Sequence, residues 1–280
     1  MTPAATVLVA LYVPGDRPER FARAFAAGAD QVILDLEDAV APERKGLARE
    51  AVAELLAGPV PTRVSVRPNG AGTAWHEDDL AMLAQAPWRP GLRLPKVEGP
   101  DDVDRVLDQL GERLGERRDQ GLELTCLLES ARGVEQAYAV ASHPDVSGIG
   151  LGEADLRAEL GVTAEAGLDW LRVRSVVAAR AAGLPAPAMA VYPRLDDDDG
   201  LRTSCLHGAA LGLRGRAAIH PRQVPVIRAA FSPTAAEVAD ARMVLDALSG
   251  GAGAVRLPDG RMVDAAMAAA ARAVLALRDR

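Results

Sequence analysis

The chain has 280 residues, 49% hydrophobic and 25% charged, proportions that exclude a disordered tail or a fibrous repeat and suit a folded protein with a large core. With 32 basic against 39 acidic side chains, a net charge of −7 argues against nucleic acid or an anionic membrane as main partner, while leaving room for local basic clusters to grip a phosphate. Cys126 and Cys205 fall in no metal or disulfide spacing, no apolar run approaches the roughly 18 residues of a membrane span, and the N-terminus lacks the layout of a signal peptide, so a cytoplasmic location is expected.

Thr6 to Val13 reads as a buried strand, Pro14-Gly15-Asp16 turns the chain, and a helix is expected from Pro18 to Ala27, with Asp16 as N-cap and Gly28 as its left-handed stop. A second strand, Gln31 to Leu36, runs into Glu37 and Asp38, followed by a helix from about Glu43 to Ala57 and strands at Arg63 to Arg67 and Gly91 to Leu94. The rhythm continues with a helix from about Pro100 to Leu110, a strand at Leu122 to Leu128, a helix at Gly133 to Ala141, a strand at Gly148 to Leu151 and a helix at Leu168 to Ala182. A weak strand near Ala188 to Tyr192, a helix from Leu201 to Leu211 and a strand at Gly215 to Ile219 complete the βα steps. Short apolar strands alternating with helices imply a parallel sheet buried on both faces, and eight of them favour closure into an α/β barrel.

Beyond Phe231 the pattern changes to a long helix from Thr234 to Leu248, a glycine-rich joint at Gly250 to Gly253, a turn around Pro258-Asp259-Gly260 and an alanine-rich helix from Asp264. Residues 1–231 are therefore assigned to the barrel. Residues 232–280 form a helical extension suited to a hairpin, a lid or an oligomer contact.

In such a barrel the chemistry sits at the C-terminal ends of the strands. Charges accumulate there: Asp35, Glu37 and Asp38 after the second strand, Arg67 after the third, Lys96 and Glu98 after the fourth, Glu129 after the fifth, Glu153 and Asp155 after the sixth. Each alone reads equally well as a loop charge or, for Asp155, a helix cap. Glu129 and Asp155 stand on adjacent strands with no histidine or cysteine nearby, and two carboxylates that leave other positions to water and substrate oxygens suit Mg²⁺. Arg67 offers a planar fork to a carboxylate or a developing enolate oxygen. His220 before Pro221 reads more readily as structural than as a ligand, Asp196 to Asp199 as a solvated helix start, and Gly148 to Gly152 lacks dinucleotide-binding spacing.

The segments Leu11-Tyr12-Val13-Pro14-Gly15-Asp16-Arg17-Pro18-Glu19-Arg20-Phe21 and Val32-Ile33-Leu34-Asp35-Leu36-Glu37-Asp38-Ala39-Val40 resemble the citrate lyase β-subunit family of CoA-ester lyases. The likeness continues through Val66-Arg67-Pro68-Asn69, Trp75 to Leu80, Leu94-Pro95-Lys96-Val97-Glu98, Leu128-Glu129-Ser130-Ala131-Arg132-Gly133, Ile219-His220-Pro221 and Gly260-Arg261-Met262-Val263-Asp264. The resemblance implies a TIM (β/α)8 barrel with extra C-terminal helices. It implies a Mg²⁺-dependent carbon–carbon lyase acting on a 3-hydroxyacyl thioester of the citryl-, malyl- or citramalyl-CoA type, releasing a 2-oxoacid and an acyl thioester, as a homotrimer or hexamer. By the same resemblance Glu129 and Asp155 bind the metal, Arg67 contacts substrate and Asp264 acts as acid or base. The Ile219-His220 segment is implied near the pantetheine of CoA, and Tyr12 and Arg23 near its phosphates or acyl end. The chain departs from the family pattern where Ala265-Ala266 follow Asp264 and at Met189 to Arg194, which bears on the substrate more than on the reaction. The alternatives are a subunit acting only on a citryl thioester borne by an acyl carrier protein, a synthase- or thioesterase-type variant, and a catalytically silent assembly or ligand-binding subunit.

Overall fold

A computed structural model describes residues 7–88, 90–114, 122–249 and 253–278. Seven strands, β1 (Val9–Pro14), β2 (Gln31–Asp35), β3 (Arg63–Arg67), β4 (Gly91–Leu94), β5 (Leu124–Leu128), β6 (Val146–Leu151) and β7 (Arg216–Ala218), make one parallel sheet in the order β6-β5-β4-β3-β2-β1-β7. β2 is buried at every position, as expected of a strand covered on both faces. The sheet curls into a TIM-barrel-like fold whose strand ends share one rim.

The connecting helices are α1 (Phe21–Phe25), α2 (Lys45–Leu56), α3 (His76–Gln85), α4 (Pro100–Leu114), α5 (Ala131–Glu135), α6 (Ala137–Ala141), α7 (Glu153–Leu160), α8 (Ala166–Ala181), α9 (Asp198–Ala210) and α10 (Gln223–Phe231). α3 has no counterpart among the expected elements. The helix expected from Pro18 splits into a 3-10 turn, Pro18–Arg20, and the short α1, and Asp16 does not cap it. Instead Asp16 is buried and its carboxylate accepts from Arg44, because an ion pair outweighs a cap for a carboxylate withdrawn from water. Gly28 does take the left-handed conformation, at φ +76°.

The weak strand expected at Ala188 to Tyr192 is corrected to a single parallel bridge between Met189 and Arg216. Met189 N donates to Gly215 O at 2.9 Å and Ala217 N to Met189 O at 3.0 Å. Pro185, Pro187 and Pro193 withhold the N–H donors that a longer ladder needs. The expected eight-stranded ring is therefore seven strands and a bridge.

The chain forms two compact units, one through Ala230 and one from Phe231. In the second, α11 (Ala235–Leu248) opens with a capping box in which Thr234 and Glu237 satisfy each other's backbone N–H. The turn around Pro258 proves to be the tip of an antiparallel hairpin, β8 (Ala254–Arg256) with β9 (Met262–Asp264), leading into α12 (Ala265–Arg278). Ala241, Val244, Leu257, Val263 and Ala271 form its core. Of the expected glycine joint, residues 250–252 lie outside the described residues.

Candidate active site

The strand-end rim opens onto a cleft of about 1120 Å³, bordered by Tyr12, Arg67, Glu129, Asp155 and Ile219. An adjoining pocket of about 270 Å³ is lined by Arg20, Arg23 and His220, and Tyr12 and Ile219 belong to both walls. Seven of the expected site residues thus meet at two connected cavities. Asp264 lies in the second unit, where it ends β9 and its Oδ1 accepts from the N–H of Ala266 at 2.9 Å and of Met267 at 3.2 Å.

Glu129 follows the last residue of β5 and is only 5% exposed. Its Oε2 is buried without a hydrogen-bond partner. Burial pushes its carboxyl up to about 7, the neighbouring charge of Asp155 adds to this, and Arg67 and Lys96 oppose it. Gly152 makes the space: a Cβ there would lie 2.5 Å from Glu129 Cγ and 2.7 Å from Oε1. Gly152 is also the N-cap of α7, so Asp155 stands in the first turn and not at the cap, and its half-exposed carboxylate borders the cleft within ion-pair reach of Lys96.

A buried carboxylate oxygen without a donor, beside a second carboxylate, suits a hard divalent cation, and the oxygen-only donor set fits Mg²⁺ better than a transition metal. Among the described residues no three His, Cys, Asp or Glu side chains surround one point. For such a cation the cleft offers the Glu129–Asp155 pair.

Arg67 ends β3 directly opposite Asp35 of β2 in the parallel register. Its Nε and Nη2 donate to the two Asp35 oxygens at 2.7 and 2.6 Å, so the fork expected to face substrate is held by Asp35. Nη1 lies 3.0 Å from Glu37 Oε2 and donates to Asp38 Oδ2 at 3.1 Å. Burial would favour the neutral guanidine, but the Asp35 carboxylate outweighs it and keeps Arg67 charged. The guanidinium stands 5.1 Å from the centre of the Tyr12 ring.

Around this pair the turn after β2 is tightly held. Asp35 accepts from the N–H of Glu37 and Ala39, and the Lys45 ammonium donates to the carbonyls of Leu36 and Glu37, both at 2.7 Å. Burial raises the Glu37 carboxyl to about 7, against the pull of Arg67. Lys96, at φ +56° the one described non-glycine residue in the left-handed region, places its ammonium 3.5 Å from Glu37 and 3.9 Å from Asp155. Backbone strain of this kind is retained where the surroundings enforce it.

Two cleft residues escaped the sequence reading. Arg93, within β4, stands 5.6 Å from the Tyr12 ring centre, and Arg216, within β7, stands 5.4 Å from that of Tyr192. Arg216 also donates to Ala190 O and Ser204 Oγ. Their signal was a lone cation inside an apolar strand. Glu153, expected on the rim, borders the cleft and is also chelated by the buried Arg172 at 2.7 and 2.8 Å, which ties the start of α7 to α8.

These are features of a barrel enzyme with its chemistry at the strand ends. Residues 8–221 match the HpcH/HpaI aldolase/citrate lyase family, and the chain belongs to that family. The citrate lyase subunit beta-like protein of Deinococcus radiodurans is 35% identical, with 98% of each chain covered. The (3S)-malyl-CoA thioesterase of Cereibacter sphaeroides is 34% identical over 81% of this chain and 78% of its own. The structure of protein CitE from Mycobacterium tuberculosis in complex with magnesium, acetoacetate and coenzyme A matches with a TM-score of 0.85 at 33% identity, covering 99% of both chains.

Proposed function

We propose that this chain is a Mg²⁺-dependent lyase that cleaves the carbon–carbon bond of a 3-hydroxyacyl-CoA, releasing a 2-oxoacid and a shorter acyl-CoA. The observation that carries this reading is the unpartnered buried oxygen of Glu129 beside Asp155, in a cleft that shares Tyr12 and Ile219 with the arginine-lined pocket. The CitE structure, bound to magnesium, an oxoacid and coenzyme A, supports the same pairing of ligands.

Glu129 and Asp155 would hold Mg²⁺, which when bound would supply Lewis-acid polarisation of the substrate's hydroxyl and carboxylate oxygens. Arg67, kept charged and aimed by Asp35, supplies fixed positive potential where the departing acyl-CoA develops enolate charge. Arg20 and Arg23 bind the CoA portion by charge in the pocket that His220 also lines, and Tyr12 orients the acyl end. Asp264 retains the acid or base role that the resemblance assigns to it, with Asp264→Asn as its test. The bond between the carbinol carbon and the carbon next to the thioester breaks; the hydroxyl proton is lost as the ketone forms, and the enolate carbon gains one.

The first test is thermal stability with Mg²⁺ and with oxaloacetate, glyoxylate or pyruvate, each alone and combined. A synergistic rise with Mg²⁺ and one oxoacid is expected, together with formation of that oxoacid from the matching CoA ester and its loss in Glu129→Gln. Absence of any shift, with activity only on a carrier-protein thioester, would move the assignment to a carrier-dependent subunit. The expected homotrimer or hexamer is tested by light scattering of the purified chain.

A further inference from the structure

Five arginines line the cleft, and four of them are committed within the fold. Arg67 is held by Asp35, Arg216 by Ala190 O and Ser204 Oγ, Arg157 by Glu165, and Arg194 stands 3.7 Å from Asp197. Arg93 is the exception. Its Nε is buried without a hydrogen-bond partner, and among the described residues no carboxylate stands within ion-pair distance of its guanidinium. Its one neighbour of note is the Tyr12 ring, 5.6 Å away.

The position of this side chain follows from the strands. Leu92 and Leu94, on either side of it in β4, are buried in the core, so alternation turns Arg93 to the opposite face, into the cleft it lines. Glycine makes the room beside it: a Cβ on Gly150 of β6 would lie 3.4 Å from Arg93 Nη2. Two residues on, Gly152 makes room for Glu129, a Cβ there lying 2.8 Å from Glu129 Cδ, and its N–H still donates to Leu128 O of β5 at 3.1 Å. Residues two apart share a face of a strand and stand about 7 Å apart along it. The Arg93 fork and the Glu129 carboxylate therefore border one wall of the cleft, about one pleat apart, with Arg93 the deeper.

A buried donor without an acceptor is costly, and the edge of a guanidinium matches a carboxylate with two parallel hydrogen bonds. Arg67 spends its fork on Asp35, so the fork left for an anion is that of Arg93. It lines the larger cleft beside Glu129 and not the smaller arginine-lined pocket, which places it with the oxoacid half of a substrate and not with the CoA half. We propose that Arg93 is a specificity-determining residue that binds a second carboxylate on the oxoacid half, so that the chain prefers substrates releasing a dicarboxylic 2-oxoacid. This rests on the lyase reading above and selects among the substrates which that reading leaves open.

The experiment is calorimetric titration of the full-length chain, saturated with Mg²⁺, with three acids: oxaloacetate, 2-oxobutanoate, which has as many carbons but no second carboxylate, and pyruvate. The wild type is expected to bind oxaloacetate about 10- to 100-fold more tightly than either of the others. Arg93→Met, similar in reach but without donors, is expected to abolish this preference while the ligand-free thermal midpoint holds; Arg93→Lys, a charge without the fork, should keep only part of it. In turnover, Arg93→Met should lower kcat/KM for citryl-CoA relative to citramalyl-CoA by the same factor. Equal wild-type affinity for oxaloacetate and 2-oxobutanoate overturns the proposal, as does an Arg93→Met chain that keeps the preference. Equal weakening of all three acids with a lowered midpoint overturns it in favour of a structural role. Failure of the lyase reading looks different, because then no oxoacid binds with Mg²⁺ and no CoA ester yields one.

Discussion

Gly152 and Glu129 occupy one space: the position of a Cβ on Gly152 falls 2.5 Å from Glu129 Cγ and 2.8 Å from its Cδ. Both residues follow the ends of adjacent strands, so the backbone of one sets where the carboxylate of the other can stand. The atoms in the way belong to a flexible side chain. Gly152→Ala is therefore expected to displace the carboxylate and spare the fold, weakening Mg²⁺ by about 10- to 100-fold with little change in the metal-free thermal midpoint. Calorimetric titration with Mg²⁺ in the presence of oxoacid checks this; unchanged affinity would detach Glu129 from the metal.

Glu37 and Glu129 set a pH dependence. Burial raises both carboxyls from 4.5 to about 7, so the folded chain holds their protons more tightly than the unfolded one does. The stability they contribute is complete below 4.5 and is lost as pH rises through about 7. Mg²⁺ needs Glu129 ionised, so its affinity is expected to rise through the same window as that proton is released. Thermal midpoints in chelator should fall with pH across this range and recover with Mg²⁺ plus oxoacid. A flat profile in chelator would count against the raised values.

The Arg67–Asp35 pair separates charge from geometry. Removing the guanidinium leaves Asp35, 1% exposed, without its counter-charge, and Arg67→Ala is expected to cost about 3–5 kcal/mol of stability. Lysine keeps a charge but cannot reach both Asp35 oxygens and Glu37 at once. Arg67→Lys should thus fold, with kcat reduced more than KM is raised. Denaturant unfolding with steady-state kinetics checks both, and an Arg67→Ala chain as stable as the wild type would show that the pair contributes little to the fold.

Arg23 lines the smaller pocket and not the larger cleft. A charge-assisted contact of this kind contributes about 1.5–3 kcal/mol. Arg23→Ala is expected to raise KM for the CoA ester by about 10-fold at unchanged kcat, the signature of lost uniform binding. The Mg²⁺ and oxoacid thermal shift should stay as it is; its loss would place Arg23 with the metal instead.

The rim was legible because charge breaks in at the ends of apolar runs, and the strand ends at Arg67, Leu94 and Leu128 coincide with the expected ones. Glu129 and Asp155 could be paired from strand adjacency alone. Arg93 and Arg216 were not legible, since a single cation inside a short strand resembles an interruption and not a wall of a cleft. Nor was the commitment of Arg67 to Asp35, which depends on register. The seventh barrel strand failed for a local reason, as its prolines suit an extended chain without a ladder.

That missing strand makes the barrel a bracelet with a clasp. Three backbone bonds, two at Met189 and one from Arg214 N to Pro187 O, and two side-chain bonds, Arg216 Nε to Ala190 O and Gln223 Nε2 to Tyr192 O, fasten segment 187–192 to the ring. Among the described residues no ladder joins it to β6. The clasp and the carboxylate rim are thus separate parts of one wall. Changes at the clasp reshape the room around Tyr192 and leave Glu129 and Asp155 standing on intact strands. On the function proposed above, variation at the clasp would change which substrate fits and spare the metal pair.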